Sequence, residues 1–99
     1  MLYDLFIVIQ DRKKRSPEKS YTASLFSRGE DIILKKVGEE AMEVILAAKS
    51  QGQQRLVEEV ADLIYHTLVL LASRDLSLQD IETELQRRHT SGPLRDGES

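Results

Sequence analysis

The chain is 99 residues long, 40% hydrophobic, 31% charged and only 5% aromatic, with a formal net charge of −3. Those figures describe one small helical domain, exclude a disordered or all-β chain, and leave no basic surface of the kind a general nucleic-acid binder needs. Cysteine is absent, which excludes disulfides, thiolate zinc sites and a cysteine nucleophile.

Leu2, Leu5, Phe6 and Ile9 recur at helical spacing and run into the basic stretch Arg12, Lys13, Lys14, Arg15, which suits a helix C-terminus. No basic leader or small-residue cleavage site precedes them, and Asp4 interrupts the apolar run, so a signal peptide is not expected. Ser16 before Pro17 and Glu18 is an N-cap signal, and with Gly29 beyond it predicts a connection carrying a short helix over 21–27. From Asp31, the positions Ile33, Leu34, Val37, Ala41, Val44, Ile45 and Ala48 keep one helix face apolar until Gly52 ends it. The next helix spans 54–74, and its C-terminal half is apolar on nearly every side, so neighbours must cover it all round. Ser77 and Asp80 stand at capping-box spacing and open a last helix that reaches His89; residues 90–99 have no apolar period and read as a mobile tail.

The expected fold is therefore all-α, a bundle of four to five helices in one domain over residues 1–89. The two long helices form an antiparallel hairpin across a short connection, and oligomerisation as a homodimer or larger assembly completes the core. The longest apolar run, residues 60–72, contains Asp62 and His66 and is too short to span a bilayer. A cytoplasmic protein without membrane or nucleic-acid partners is the expectation.

Both helices of the hairpin carry acidic pairs three residues apart beside an apolar face, Glu40 with Glu43 and Glu59 with Asp62. One such pair alone is usually a solvated face or half of an intrahelical ion pair. Two pairs on adjoining helices are different, because four carboxylates gathered in a bundle repel one another unless a cation neutralises them. An all-oxygen donor set favours a hard ion, Mg²⁺ with Mn²⁺ as a substitute, and such an ion leaves positions for phosphate oxygens. Asp62 carries most of this expectation, since Val60, Ala61, Leu63 and Ile64 surround it in sequence.

The acidic order Glu39, Glu40, Glu43, then Glu59 and Asp62, resembles the signature of the all-α nucleoside triphosphate pyrophosphohydrolases, the MazG-like superfamily. Within it, residues 20–49 and 56–85 are similar to the phosphoribosyl-ATP pyrophosphohydrolase family, with Ser20-Tyr21-Thr22 and Lys36-Val37-Gly38-Glu39-Glu40 as the more specific elements. The resemblance implies Mg²⁺-dependent hydrolysis of the bond between the α and β phosphates of phosphoribosyl-ATP, giving phosphoribosyl-AMP and pyrophosphate, the second step of histidine biosynthesis. It further implies that Glu40, Glu43, Glu59 and Asp62 are metal ligands and that Glu39 is an outer-shell or alternate ligand. One of these carboxylates would orient or deprotonate the attacking water; which one is left open. The family also occurs fused to phosphoribosyl-AMP cyclohydrolase, whose zinc site uses cysteines, so this cysteine-free chain resembles the stand-alone form, with a functional link to a separate cyclohydrolase.

For the substrate, Lys36 lies on the acidic strip and Lys35 and Lys49 flank it, all placed to neutralise phosphate. Ser20, Tyr21 and Thr22 offer hydroxyls for ribose or phosphate and a ring to stack an adenine, against the plainer reading of an N-cap followed by a core tyrosine. His66 reads first as a core histidine bonded to Asp62, and the basic stretch 12–15 first as a helix-end charge. Three rivals stand beside this reading: a housecleaning pyrophosphatase acting on other nucleotides, a di-iron carboxylate bundle, which wants two Glu-x-x-His pairs the chain lacks, and a non-enzymatic helical dimerisation module.

Overall fold

The structure, a computed structural model, describes residues 1–91. Helix α1 covers Leu2–Arg12, a 3-10 turn Pro17–Lys19, α2 Tyr21–Arg28, α3 Glu30–Ser50, α4 Gln53–Ser73 and α5 Leu78–Ser91, and no strand occurs among the described residues. The all-α expectation holds, with each predicted helix present and its ends moved by a residue or two. Ser16 makes no side-chain cap and precedes only the 3-10 turn. The working cap is Ser20, whose Oγ accepts from the Ala23 N–H at 3.0 Å and opens α2. Thr90 and Ser91, expected in the tail, still belong to α5, and the rest of that tail lies outside the described residues.

The centre of the molecule is the hairpin of α3 and α4, two helices of 21 residues each, joined across Gln51 and Gly52. Gly52 takes φ +87, a region that L side chains rarely adopt, and this is what lets the chain reverse over so short a link. Reversal in turn sets Glu40, eleven residues before the turn, opposite Glu59 and Asp62 beyond it.

The buried core gathers on the far half of that hairpin. Leu68, Val69, Leu71 and Ala72 of α4 pack with Phe6 and Ile9 of α1, Leu25 of α2, Ile33 of α3 and Leu78 of α5. Full burial of each large side chain contributes roughly 1.5–3 kcal/mol, so this end holds most of the fold's stability. The hairpin's other half has little cover: Val57 is 63% exposed, and Val60, Ile64, Met42 and Ile45 are also exposed. The sequence reading expected α4 to need neighbours on several sides, and within one chain the C-terminal half of the helix finds them while the N-terminal half does not.

Helix α4 ends in a closed cap. Asp75 adopts φ +57, the Leu76 N–H reaches the Leu71 carbonyl at 2.9 Å and the Asp75 N–H reaches that of Ala72 at 3.2 Å, the paired bonds of a Schellman motif. Asp is tolerated in the left-handed region better than most residues, and its carboxylate receives Lys13 Nζ at 2.8 Å while the same ammonium donates to the Ala72 carbonyl at 2.9 Å. A second tie crosses from α4 to the start of α3, where the Arg74 guanidinium pairs with Glu30, one bond at 2.9 Å. Beyond the cap, the Ser77 hydroxyl accepts from the Asp80 N–H at 3.2 Å and the Asp80 carboxylate accepts from the Ser77 N–H at 2.8 Å. This is the reciprocal capping box read from the sequence.

Candidate metal and nucleotide site

Glu40 on α3 and Glu59 and Asp62 on α4 each offer one carboxylate oxygen, and the three oxygens lie within 4.8 Å of one another. Burial is uneven in a way the sequence did not suggest. Asp62, expected to be the enclosed residue because of its apolar flanks, is exposed, and so are Val60 and Ala61 beside it. Glu59 is the buried one, at 3% exposure. Flanking residues on a helix point in other directions, so apolar neighbours in sequence do not enclose a side chain; the facing helix does.

The electrostatics follow from that placement. Burial pushes the Glu59 carboxyl above the usual range, the neighbouring carboxylates of Glu40 and Asp62 push it further, and the guanidinium of Arg55 pulls it back. Arg55 lies one turn before Glu59 and bonds it at 2.8 Å, and Nη1 also reaches Glu58 at 3.1 Å. Sequence reasoning missed Arg55. Its signal was present, since an arginine four residues before a glutamate on a helix is at ion-pair spacing.

The remaining acidic candidates separate. Glu43 is one turn nearer the hairpin tip and outside the three-carboxylate group; its charge acts on Arg55. Glu39 is exposed and paired with Lys36 Nζ at 3.6 Å within α3. Lys36 is half-buried beside the acidic strip, whereas Lys35 and Lys49 are exposed.

Ser20, Tyr21 and Thr22 sit at the start of α2, and the latter two reach α4 just past Asp62. All three hydroxyls already have partners in the protein: Ser20 caps its own helix, Tyr21 meets His66 Nε2 at 3.1 Å, and Thr22 bonds the hydroxyl of Tyr65. What stays open is the Tyr21 ring, 49% exposed and stacked at 28° and 6.3 Å on Tyr65. His66 is buried, and its Nδ1 lies 2.9 Å from the Asp62 backbone carbonyl rather than the carboxylate. Tyr65, not singled out in the sequence, completes this aromatic group and meets His66 edge-on at 4.8 Å.

The basic stretch 12–15 lies at the other end of the bundle. Lys13 closes the C-terminus of α4, ten residues or about 15 Å along the helix from Asp62, and Arg12 and Arg15 pair with Asp11. Within one chain these cations serve helix ends and are remote from the carboxylates.

The donor set fits a hard divalent cation. Opposite Mg²⁺ ligands stand about 4.2 Å apart for bonds of about 2.1 Å, so carboxylate oxygens within 4.8 Å need only a small rotamer adjustment to share one ion. The lack of thiolate in the chain and the placement of His66, turned away to a backbone carbonyl, argue against zinc or copper.

Comparison with known proteins gives consistent matches. The family model described as phosphoribosyl-ATP pyrophosphohydrolase matches residues 2–89. A phosphoribosyl-ATP pyrophosphatase of Pelotomaculum thermopropionicum is 54% identical over 88 residues, covering 89% of this chain and 90% of that protein. The protein of the same name from Geobacter sulfurreducens is 55% identical over 93 residues, 93% of this chain and 86% of the relative. That of Listeria welshimeri is 56% identical over 88 residues, 89% and 84% of the two chains.

Proposed function

The chain belongs to the phosphoribosyl-ATP pyrophosphohydrolase family, and we propose that it carries out that family's hydrolysis with Mg²⁺ held by Glu40, Glu59 and Asp62. Its reaction is that of a phosphoribosyl-ATP pyrophosphatase of histidine biosynthesis, the cleavage of phosphoribosyl-ATP to phosphoribosyl-AMP and pyrophosphate. The observation that supports the metal reading is the buried Glu59, gathered with two further carboxylates although burial and like charge both oppose its ionisation.

When bound, the cation supplies positive charge to the phosphate oxygens and to the departing pyrophosphate. The chain's own groups do the rest. Glu40, Glu59 and Asp62 hold the cation, with Mn²⁺ as a substitute; Glu43 and Glu39, one turn and one residue away, are outer carboxylates able to accept a proton from the attacking water. Lys36 leaves Glu39 to meet a phosphate, Lys35 adds charge at the rim, and the open ring of Tyr21 stacks the adenine. Ser20 and Thr22 shape this wall through the bonds their hydroxyls make within the protein and not by contacting the substrate. Phosphoryl transfer asks mainly for positioning and charge neutralisation, so no nucleophilic side chain is required.

The exposed apolar side chains of the hairpin tip, Met42, Ile45, Val57 and Val60, support assembly as a homodimer or larger. No helix among the described residues is long and apolar enough to cross a membrane, and we place the reaction in the cytoplasm, where a separate phosphoribosyl-AMP cyclohydrolase would take up the product. The test is pyrophosphate release from phosphoribosyl-ATP with and without Mg²⁺, beside ATP and a panel of other nucleoside triphosphates. Selective, Mg²⁺-dependent release is expected. Release from the other nucleotides alone would move the chain to housecleaning chemistry, and release unaffected by chelation would remove the metal reading.

A further inference from the structure

His66 is a buried ionisable side chain that the proposed reaction does not use. Its hydrogen bonds have a forced direction. A backbone carbonyl only accepts, so Nδ1, 2.9 Å from the Asp62 carbonyl, carries the proton. In the neutral ring Nε2 is then an acceptor, and the Tyr21 hydroxyl, 3.1 Å away, is the donor. The imidazole is thereby locked to the turn of α4 that bears Asp62 on one edge and holds the first residue of α2 on the other. The following residue of α2 and the preceding residue of α4 repeat the tie, Thr22 to Tyr65.

Helix α2 needs such ties. It has eight residues, too few to be stable alone, and lies between an extended Ser20 (φ −165) and Gly29 at φ +101. Its backbone runs closest to the 3-10 turn and to α3, and its buried side chains are the small Ala23 in the first turn and Leu25 beyond it. Tyr21 itself is half exposed, and its ring stacks on Tyr65 and meets His66 edge-on, so its hold on the bundle runs through these two residues of α4.

We propose that His66 is a positioning residue for substrate binding: bonded to the Asp62 carbonyl, it orients Tyr21 and keeps the start of α2 in register with the carboxylates. This rests on Tyr21 forming a wall of the nucleotide site. His66 acts through Tyr21, so its loss should weaken substrate binding and leave the cation site intact.

The experiment compares Tyr21→Phe, His66→Asn, the double variant and His66→Gln. Phe removes only the donor; Asn keeps a donor near Nδ1 but does not reach Tyr21; Gln places an acceptor near Nε2. Tyr21→Phe and His66→Asn should each raise KM for phosphoribosyl-ATP by about 3- to 10-fold, the worth of one hydrogen bond, with kcat little changed. The double variant should be no worse than the poorer single one, because both break the same bond. His66→Gln should recover most of the loss. The rise in melting temperature caused by Mg²⁺ should persist in all four, and long-range ¹H–¹⁵N spectra of the wild type should show a protonated Nδ1 and a bare Nε2. Multiplying effects in the double variant, a His66→Gln no better than His66→Asn, or the opposite tautomer would each overturn the proposal while wild-type turnover stands. A wild type with neither turnover nor a Mg²⁺ response would overturn the proposed function itself, and this proposal with it.

Discussion

The two ends of α4 treat charge in opposite ways. At the C-terminal end every prominent cation has a partner: Lys13 holds a carbonyl and Asp75, and Arg74 holds Glu30, all beside the buried core. Toward the N-terminal end, three carboxylates converge, one of them buried, with Arg55 as the cation bonded to Glu59. Balanced charge beside a packed core serves stability. The acidic excess where the core is thin is what the proposed cation would neutralise, and on that proposal the contrast separates the part of the molecule that holds the fold from the part that binds.

The largest effect should come from the acidic end. Replacing Asp62 or Glu40 by Ala should lower turnover by about 10²- to 10³-fold or more, the range for losing a group that supports transition-state charge, while circular dichroism shows unchanged helix content. Glu59→Gln should be equally inactive yet melt higher than the wild type in the absence of divalent ions, because burial and the neighbouring carboxylates outweigh the Arg55 pair that is lost with the charge; a lower melting temperature would erase the contrast between the two ends.

Next in size is the response to the cation. At a Mg²⁺ concentration about 100 times its dissociation constant, mass action adds about 2.7 kcal/mol, which for a domain of this size raises the melting temperature by roughly 10 °C or more. EDTA should reverse the rise, and Asp62→Ala should not show it. A smaller effect, of opposite character, belongs to the core end. Lys13→Ala removes the tie to the Ala72 carbonyl and to Asp75 and should cost about 1 kcal/mol of stability in urea unfolding, with kcat/KM unchanged. Loss of activity there would mean that the basic stretch reaches a substrate after all.

The smallest effect sets the background level, from an exposed cluster at neither end. Arg87 and Arg88 hold the Glu84 carboxyl down at about 2, against 4.5 for an unperturbed glutamate. A folded-state value below the unfolded one gives stability that is complete above the unfolded value and fades as pH falls through the folded one. Far-ultraviolet dichroism should therefore show α5 weakening between pH 4.5 and about 2, and Glu84→Gln should remove that dependence.

The helices were legible from apolar spacing and the capping box at Ser77 and Asp80 from its residue types; of the two acidic pairs read from their three-residue step, Glu40, Glu59 and Asp62 come together and Glu43 does not. The pattern could not show which carboxylate is enclosed. Asp62 looks buried in a string of letters because its neighbours are apolar, whereas burial depends on what the partner helix lays over each position, and that favoured Glu59. The same limit hid Tyr65, whose partner is known only once α2 and α4 are placed; Arg55 stood at readable ion-pair spacing from Glu59, and only the burial of that partner was hidden. The hydroxyls of Ser20, Tyr21 and Thr22 show the converse case: the residues were found, but their bonds are with the protein and not free for a ligand.

Gly52 carries a consequence for the order in which the molecule assembles. All three carboxylates lie on one hairpin, between Glu40 and Asp62, so the charge repulsion is met when α3 and α4 close, a contact more local in sequence than the docking of α1 on α4 and so expected to form ahead of it. Mg²⁺ present during refolding should speed that closure, whereas Mg²⁺ added to a chain already folded acts only on unfolding. Stopped-flow traces begun with and without the ion would register the difference. A folding rate indifferent to Mg²⁺ would mean that the carboxylates meet only after the rate-limiting step.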